Sequence, residues 1–282
     1  MRYRYRRAVL IVIYGLALSY PVRAFSDEAV WRATDPYSYY DGSLEVRARL
    51  SVQDLIGVQR SSVTSIRVKQ GTDSTLFKDP ETFPRLQEVV LDGWDEATLA
   101  TLAHNYPQIS ALSLMGSSPL SEVQFEQLRD FHRLKFLDVA VPIEDASWMS
   151  CLPVSLSRLT LKNTNAAGRS YTNVVRLPNL RELRIFDDVV EPDILLCMHA
   201  PRLLNLYLND VDVKVGGMQG LKNFSHLAWL NLDRSRMHSD ALDAIELSRS
   251  IRKVWLRSAK VAEDESENIQ RLQRTRRITV VR

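Results

Sequence analysis

The side chains of this 282-residue chain that could carry covalent or acid–base chemistry are few and scattered. Its five histidines lie far apart, and no pair has metal-ligand spacing beside a cysteine or carboxylate cluster. His238-Ser239-Asp240 supplies the residue types of a nucleophilic triad, but consecutive residues cannot fold back into that geometry. We expect Ser239 to cap a helix instead. The sequence therefore predicts no enzyme, no cofactor and no metal site.

A second set of side chains has the composition of a binding surface. Four aromatic residues are interleaved with cationic, amide and acidic residues between positions 184 and 257. The set comprises Arg184, Phe186, Asn205, Tyr207, Asn209, Trp229, Asn231, Asp233, Lys253, Trp255 and Arg257. Aromatic rings beside arginine and amides combine large contact area with few rotatable bonds, which is typical of hot spots in protein interfaces. The same rings would suit stacking on sugars, and mutual packing that merely covers a sheet is the structural alternative.

The elements that must position this set recur along the chain. The pattern L-x-x-L-x-L, with Ile or Val substituting for Leu, returns every 22 to 25 residues, 23.5 on average. Its nine repeats, numbered 1 to 9, have their first position at Val63, Leu86, Ile109, Leu134, Leu156, Leu180, Leu203, Leu227 and Ile251. A fixed period in this range predicts a solenoid.

Each repeat divides into a strand and a turn or helix. Period-two alternation predicts a strand whose third, fifth and seventh side chains point away from the core, and the set above occupies those positions in repeats 6–9. Helical spacing follows, as in residues 97–103, and Ser121 and Gln124 have capping-box spacing. The last helical segment carries the same scheme on Ser239, Leu242, Ile245 and Leu247. Proline two residues before a repeat start, as at Pro84, predicts a turn there.

The N-terminal 24 residues have the pattern of an export signal. Four arginines precede an apolar run of about 13 residues, which is shorter than the ~20 needed to span a bilayer, and Val22-Arg23-Ala24 offers small residues for cleavage. An uncleaved anchor is the alternative. Without its five arginines the chain carries 32 basic and 34 acidic residues, so the net charge changes from +3 to −2. The chain without this segment therefore lacks the overall positive charge that would indicate nucleic-acid binding.

The two cysteines occupy the same slot in repeats two apart. Cys151 and Cys197 each follow a repeat start by 17 residues. Since neighbouring strands lie about 4.8 Å apart, these residues would be at least ~9.5 Å apart, beyond the ~7 Å that a disulfide allows. We therefore expect two small buried thiols on the convex side of the solenoid.

Caps are expected at both ends, because the terminal repeats of a solenoid lack a neighbour. Asp41-Gly-Ser-Leu44-Glu-Val46 is interpreted as a degenerate first strand, 22 residues before its counterpart in repeat 1. Asp264–Gln273 is predicted as a last helix and Ile278–Val281 as a closing strand. The expected organisation is a signal peptide (1–24), an N-terminal cap (25–62), the repeats (63–262) and a C-terminal capping helix and strand (263–282).

Over residues 41–282 the chain resembles the leucine-rich repeat family, because nine L-x-x-L-x-L matches stand in near-constant register. The last two units look like the 24-residue bacterial class, and the cysteine-containing repeats are similar, although no F-box-like region is present. The family's Asn or Thr after the strand is kept only as Ser117, Thr164 and Ser235. The resemblance implies an α/β fold: a curved right-handed solenoid with a concave parallel sheet and convex helices.

The resemblance also implies a protein that binds without chemistry. We expect an exported scaffold, periplasmic or secreted, that recognises an unknown protein or peptide on the concave face of its C-terminal repeats. A cell-wall or surface glycan is the alternative ligand, and an enzyme or an enzyme's regulatory subunit is the third hypothesis. Neither nucleic-acid binding nor a membrane span after signal removal is expected.

Overall fold

A computed structural model describes residues 37–40, 43–46, 58–72, 74–94, 96–143, 148–164, 174–261, 270, 272–274 and 278–281. The predicted signal peptide lies outside the described residues, as does most of the predicted C-terminal helix. Within the described part, the strands in chain order are β1 (Tyr37–Tyr40), β2 (Ser43–Val46), β3 (Ser65–Thr72), β4 (Glu88–Trp94), β5 (Ala111–Met115), β6 (Phe136–Ala140), β7 (Arg158–Lys162), β8 (Val175–Arg176), β9 (Glu182–Phe186), β10 (Val189–Val190), β11 (Met198–His199), β12 (Asn205–Asn209), β13 (Asp212–Val213), β14 (Trp229–Asn231), β15 (Arg236–Met237), β16 (Lys253–Trp255), β17 (Lys260–Val261) and β18 (Thr279–Val281).

One long open sheet organises the molecule. Its order is β1-β2-β3-β4-β5-β6-β7-β9-β12-β14-β16-β18, and every neighbouring pair is parallel except β1 and β2. Each of the nine repeats contributes one strand, which begins at its third position. The predicted leucine-rich-repeat solenoid is confirmed by this strand order.

The buried side chains explain the register of the sheet. In repeat 6, Leu180, Leu183 and Ile185 are all 0% exposed, and their counterparts in the other repeats fill the same core. A slip of one residue would bring the outward side chains into that core, so the apolar positions fix which face each residue takes. The predicted alternation is confirmed.

A tight turn precedes the strand in repeats 1–8. The N–H of Leu86 donates to the carbonyl of Phe83 at 3.0 Å, and Pro84 occupies the second position of that turn, where its fixed φ fits. The equivalent bond recurs before repeat 1 and before repeats 3–8. The predicted role of the prolines is therefore correct. Phe83, Phe131 and Phe224 lie fully or almost fully buried in equivalent places, a column of core residues that the sequence analysis missed.

The turn after each strand also repeats. The eighth position has a positive φ in seven repeats, including Asn163 at 49° and Asp210 at 56°. At the ninth position, the buried Ser235 hydroxyl donates to the Leu208 carbonyl at 2.6 Å and accepts from the N–H of Val211 at 3.3 Å. Repeat 7 has Val211 at the position where the family has Asn or Thr. The backbone groups of its turn therefore bond to the Ser235 hydroxyl of repeat 8 instead. Just beyond, β10, β13, β15 and β17 form a second parallel sheet.

The side of the stack away from the long sheet carries short helices: α1 (Glu96–Asn105), α2 (Glu122–Gln127), α3 (Pro192–Cys197) and α4 (Ser239–Leu247). The predicted capping box is confirmed, since the Ser121 hydroxyl accepts from the N–H of Gln124, whose side chain accepts from the N–H of Ser121. The predicted Ser239 cap is wrong: α4 begins at Ser239, and His238 precedes it without a side-chain bond. Leu247 was also expected to face inward but is 80% exposed, because it lies about 140° around the helix from Leu242.

Both predicted end strands are present. β2 pairs in parallel with β3, and its Leu44 is 1% exposed, so residues 43–46 extend the core as a first strand. β18 pairs in parallel with β16. Of the predicted last helix, residues 270, 272 and 273 are helical, and Leu272 is fully buried.

The cysteines differ in exposure. Both are free thiols; Cys151 is buried as expected, whereas Cys197 is only half-buried because it is the last residue of α3. Burial and the nearby Asp193 carboxylate raise the pKa of the Cys197 thiol. None of the helices in the described part of the chain is long and apolar enough to cross a membrane.

Candidate functional site

The structure brings the predicted set together on the concave face of β9, β12, β14 and β16. Nine of its eleven residues lie in these strands, in rows that run across the repeats. Asn205, Trp229 and Lys253 form one row, and Tyr207, Asn231 and Trp255 form the next. Phe186 is opposite Asn209. The remaining two, Asp233 and Arg257, fall outside the strands because β14 and β16 are only three residues long.

The C-terminal part of this surface is open and aromatic. Trp229 is 49% exposed, and its ring meets that of Trp255 edge to face, with centroids 6.0 Å apart and planes at 66°. The Lys253 ammonium lies 4.6 Å from the centroid of the Trp255 ring. The residues between them, Leu230 and Val254, are fully buried. A rigid strand pair therefore presents two indoles and one cation on its outer side.

Arg184 is used within the protein. It is 9% exposed, its Nε lies 2.5 Å from Oε1 of Glu182, and its guanidinium stands 5.2 Å from the centroid of the Tyr207 ring. Burial, with the Glu182 carboxylate second, raises the pKa of the Tyr207 hydroxyl. Arg184 thus holds Tyr207 in place and offers a ligand little surface of its own.

The same network continues toward the middle of the sheet, where the sequence analysis proposed no site. Arg158 lies 4.0 Å from Glu182 and stacks 4.5 Å from the centroid of the Phe136 ring. Phe136, Arg158 and Glu182 occupy the third position of successive repeats. Their contacts join neighbouring repeats, so comparing this one position along the chain would have predicted the cluster.

The amides and acids at the C-terminal side act mainly on the backbone. Asn231 Oδ1 accepts from the N–H of Asp233 at 2.7 Å, and Asp233 Oδ1 accepts from the N–H of Arg257 at 2.9 Å. These bonds shape the turns that follow β14 and β16. Asn209 differs, because its buried Oδ1 has no hydrogen-bond partner among the described residues. A buried acceptor without a partner is uncommon in folded proteins.

Among the residues that the structure describes, no group of three or more His, Cys, Asp and Glu side chains could hold a metal ion. The outward face therefore offers stacking, hydrogen bonding and charge. These are means of recognition.

Two solved structures illustrate what the fold is similar to. No protein-family model and no curated protein matches the chain. An internalin (inlF) from Listeria monocytogenes str. 4b F2365 is similar in structure, with a TM-score of 0.46, 14% identity, and coverage of 85% of this chain and 79% of that one. Human 5T4 (Wnt-activated inhibitory factor 1, trophoblast glycoprotein) gives a TM-score of 0.45, 15% identity, and coverage of 88% and 90%. The fold assignment rests on the strand register and repeated turns of this chain itself.

Proposed function

Because the chain is a leucine-rich-repeat solenoid, we propose that it is an exported, non-enzymatic scaffold that binds a protein or peptide through the concave face of repeats 6–9. The observation that carries the proposal is the half-exposed Trp229, paired with Trp255 above a buried strand pair. Exposed aromatic side chains held by rigid elements lose little entropy on binding and bury a large area. The proposal of export rests on the sequence pattern of residues 1–24.

The contact surface proposed is narrower than the full predicted set. Trp229, Trp255, Lys253 and Tyr207 would meet the ligand. Arg184 would act by holding Tyr207, since it is nearly buried and already paired.

The test is a quantitative pull-down with the wild-type chain and the Trp229→Ala variant, followed by affinity measurement on the captured protein. Burying the exposed half of a side chain of roughly 250 Å², at about 25 cal/mol per Å², is worth about 3 kcal/mol, or about a hundredfold in Kd. Leu247→Ala is the matched control, because it removes an 80% exposed apolar side chain from the helical side. Partners that survive Trp229→Ala unchanged would contradict the concave site.

A glycan ligand is the second candidate, since paired indoles also stack on sugar rings. The two ligands respond differently to salt. A protein that engages Lys253 and Arg257 should bind more weakly as ionic strength rises, whereas stacking of a neutral glycan on Trp229 and Trp255 should hardly change. Hydrolytic or transfer activity of the purified chain, abolished by one substitution, would overturn the non-enzymatic part of the proposal.

A further inference from the structure

The edge of the long sheet at which the strands begin has a charge pattern unlike the rest of the chain. We define the strand-start edge as the residues immediately before and after the first position of each repeat. Of these eighteen residues six are Arg or Lys, and none is Asp or Glu. The whole chain has 37 basic and 34 acidic residues, so the absence of acids is a property of these positions.

Backbone hydrogen bonds link the repeats along this edge, so its recognition chemistry rests mainly on the side chains. The carbonyl of Lys135, for example, accepts from the N–H groups of Ser157 and Arg158 at 2.8 and 3.0 Å. The same pair of bonds links each repeat to the next. Side chains at the edge therefore project from a regular ladder, one repeat every ~4.8 Å.

A depression of about 790 Å³ runs along the strand-start edge from repeat 2 to repeat 7. Five strand spacings give it a length of roughly 24 Å. Arg133, Lys135, Arg181 and Arg202 line it and are all exposed. Within the described residues none of these four belongs to an ion pair; Arg202 donates to Asn179 Oδ1 at 3.2 Å.

Carboxylates pair with cations on the opposite edge, where the strands end. Arg234 pairs with Asp210 at 2.5 Å, and Lys214 pairs with Asp212 at 2.6 Å. Among the described residues, the four cations that line the depression have no carboxylate partner, so they repel one another and attract an external anion. A ligand that follows the row would meet several of them at once.

The neutral side chains of the depression indicate which polyanion fits. Its other lining residues are glutamine, asparagine, serine and one histidine, and no Phe, Tyr, Trp or aliphatic side chain takes part. Single-stranded nucleic acids use aromatic stacking, and protein partners use apolar anchors. Hydroxyls and amides between cations match a chain that carries both hydroxyl and acidic groups.

We infer that the strand-start edge binds a linear acidic polysaccharide, at a site separate from the concave surface. Its acidic groups would lie against Lys135 and Arg181, flanked by Arg133 and Arg202, and its hydroxyls would meet the serines and amides. The inference does not depend on the proposed protein ligand.

The experiment titrates the full chain with a sulfated heparin-derived hexasaccharide over a range of salt concentrations. The double variant Lys135→Gln/Arg181→Gln should lose about tenfold in affinity, and the slope of log K against log salt should fall by about two. Arg133→Gln/Arg202→Gln is an independent second pair. All four residues are exposed, so circular dichroism should show unchanged folding.

Arg236→Gln/Lys260→Gln removes the same charge from exposed positions on the strand-end edge and is the matched control. An equal loss in this control would show that net charge alone drives binding and would overturn the inference. Equal or tighter binding of single-stranded DNA or poly-glutamate of matched charge would overturn the assignment to a polysaccharide. Unchanged binding of both strand-start variants would overturn the site. If these variants still bind a concave-face partner, the loss of polysaccharide binding is independent of the proposed function.

Discussion

Replacing the Ser235 hydroxyl tests how the turns that frame the concave surface are held together. Ser235 is 0% exposed, donates to the Leu208 carbonyl at 2.6 Å and accepts from the N–H of Val211 at 3.3 Å. Ser235→Ala leaves both backbone groups without this partner in a buried turn. Each unsatisfied buried group costs about 1–3 kcal/mol, and partial relaxation gives an expected loss of about 2–4 kcal/mol in the free energy of unfolding.

The assay is urea unfolding followed by tryptophan fluorescence, which Trp229 and Trp255 report from the same end of the stack. Solenoid stability is close to a sum over neighbouring repeats, so the transition can lose its two-state character. Amide hydrogen exchange therefore accompanies it and should show faster exchange in repeats 7–9 than in repeats 1–3. Ser225→Ala is the control, because its hydroxyl is exposed and the expected change is below about 0.5 kcal/mol.

A loss for Ser235→Ala no larger than that of Ser225→Ala would refute the reasoning. It would mean that Val211 and Leu208 find other partners, and that the repeat 7 turn does not depend on the hydroxyl of its neighbour. Faster exchange confined to the helical side would refute it equally, since the broken bonds lie at the strand ends.

Two further predictions concern the sheet and the helical side. Burial raises the pKa of the Glu88 carboxyl above its ordinary 4.5, although the Arg67 charge opposes this shift. The contribution of Glu88 to the free energy of unfolding is therefore complete below about pH 4.5 and is lost as the pH rises through the folded-state pKa. Glu88→Gln should thus have a higher Tm than wild type at pH 7 and an equal Tm near pH 4; a constant difference would contradict this. Gly220→Ala places a Cβ 2.3 Å from the Leu195 carbonyl carbon and should cost about 1–3 kcal/mol in urea unfolding, whereas the exposed Lys222→Ala should have almost no effect.

The register of the fold could be predicted because it depends on residues that are close in sequence. Leu180, Leu183 and Ile185 carry their own period, and any slip would expose them, so one repeat determines which of its side chains face outward. The end strands followed from the same pattern, as Leu44 illustrates. The boundaries of α4 did not, because Ser239 has the right residue type for a cap and only the backbone decides whether it begins or precedes the helix.

The character of the candidate site could be predicted only in part. That Trp229 and Trp255 would stand on neighbouring strands followed from the repeat, and their partial exposure agrees with the outward positions. Arg184 was expected among the exposed cations but is nearly buried. Its pairing depends on Glu182 two residues away and on Tyr207 in the next repeat, and the geometry of such pairs is set by side-chain conformation.

Different positions of the repeat carry different types of side chain, and this affects how many ligands the chain can bind. Each position of the repeat forms one line along the stack, so the indoles of the concave face and the cations of the strand-start edge lie on different lines. Trp229 is at the third position of repeat 8 and Arg181 at the second position of repeat 6, so a ligand on one line need not cover the other. A polysaccharide along the strand-start edge could therefore anchor the protein while repeats 6–9 bind a second partner. Simultaneous binding of the heparin hexasaccharide and a concave-face partner, each with its separate affinity unchanged, is the expected result, and mutual exclusion would show that the two surfaces are one.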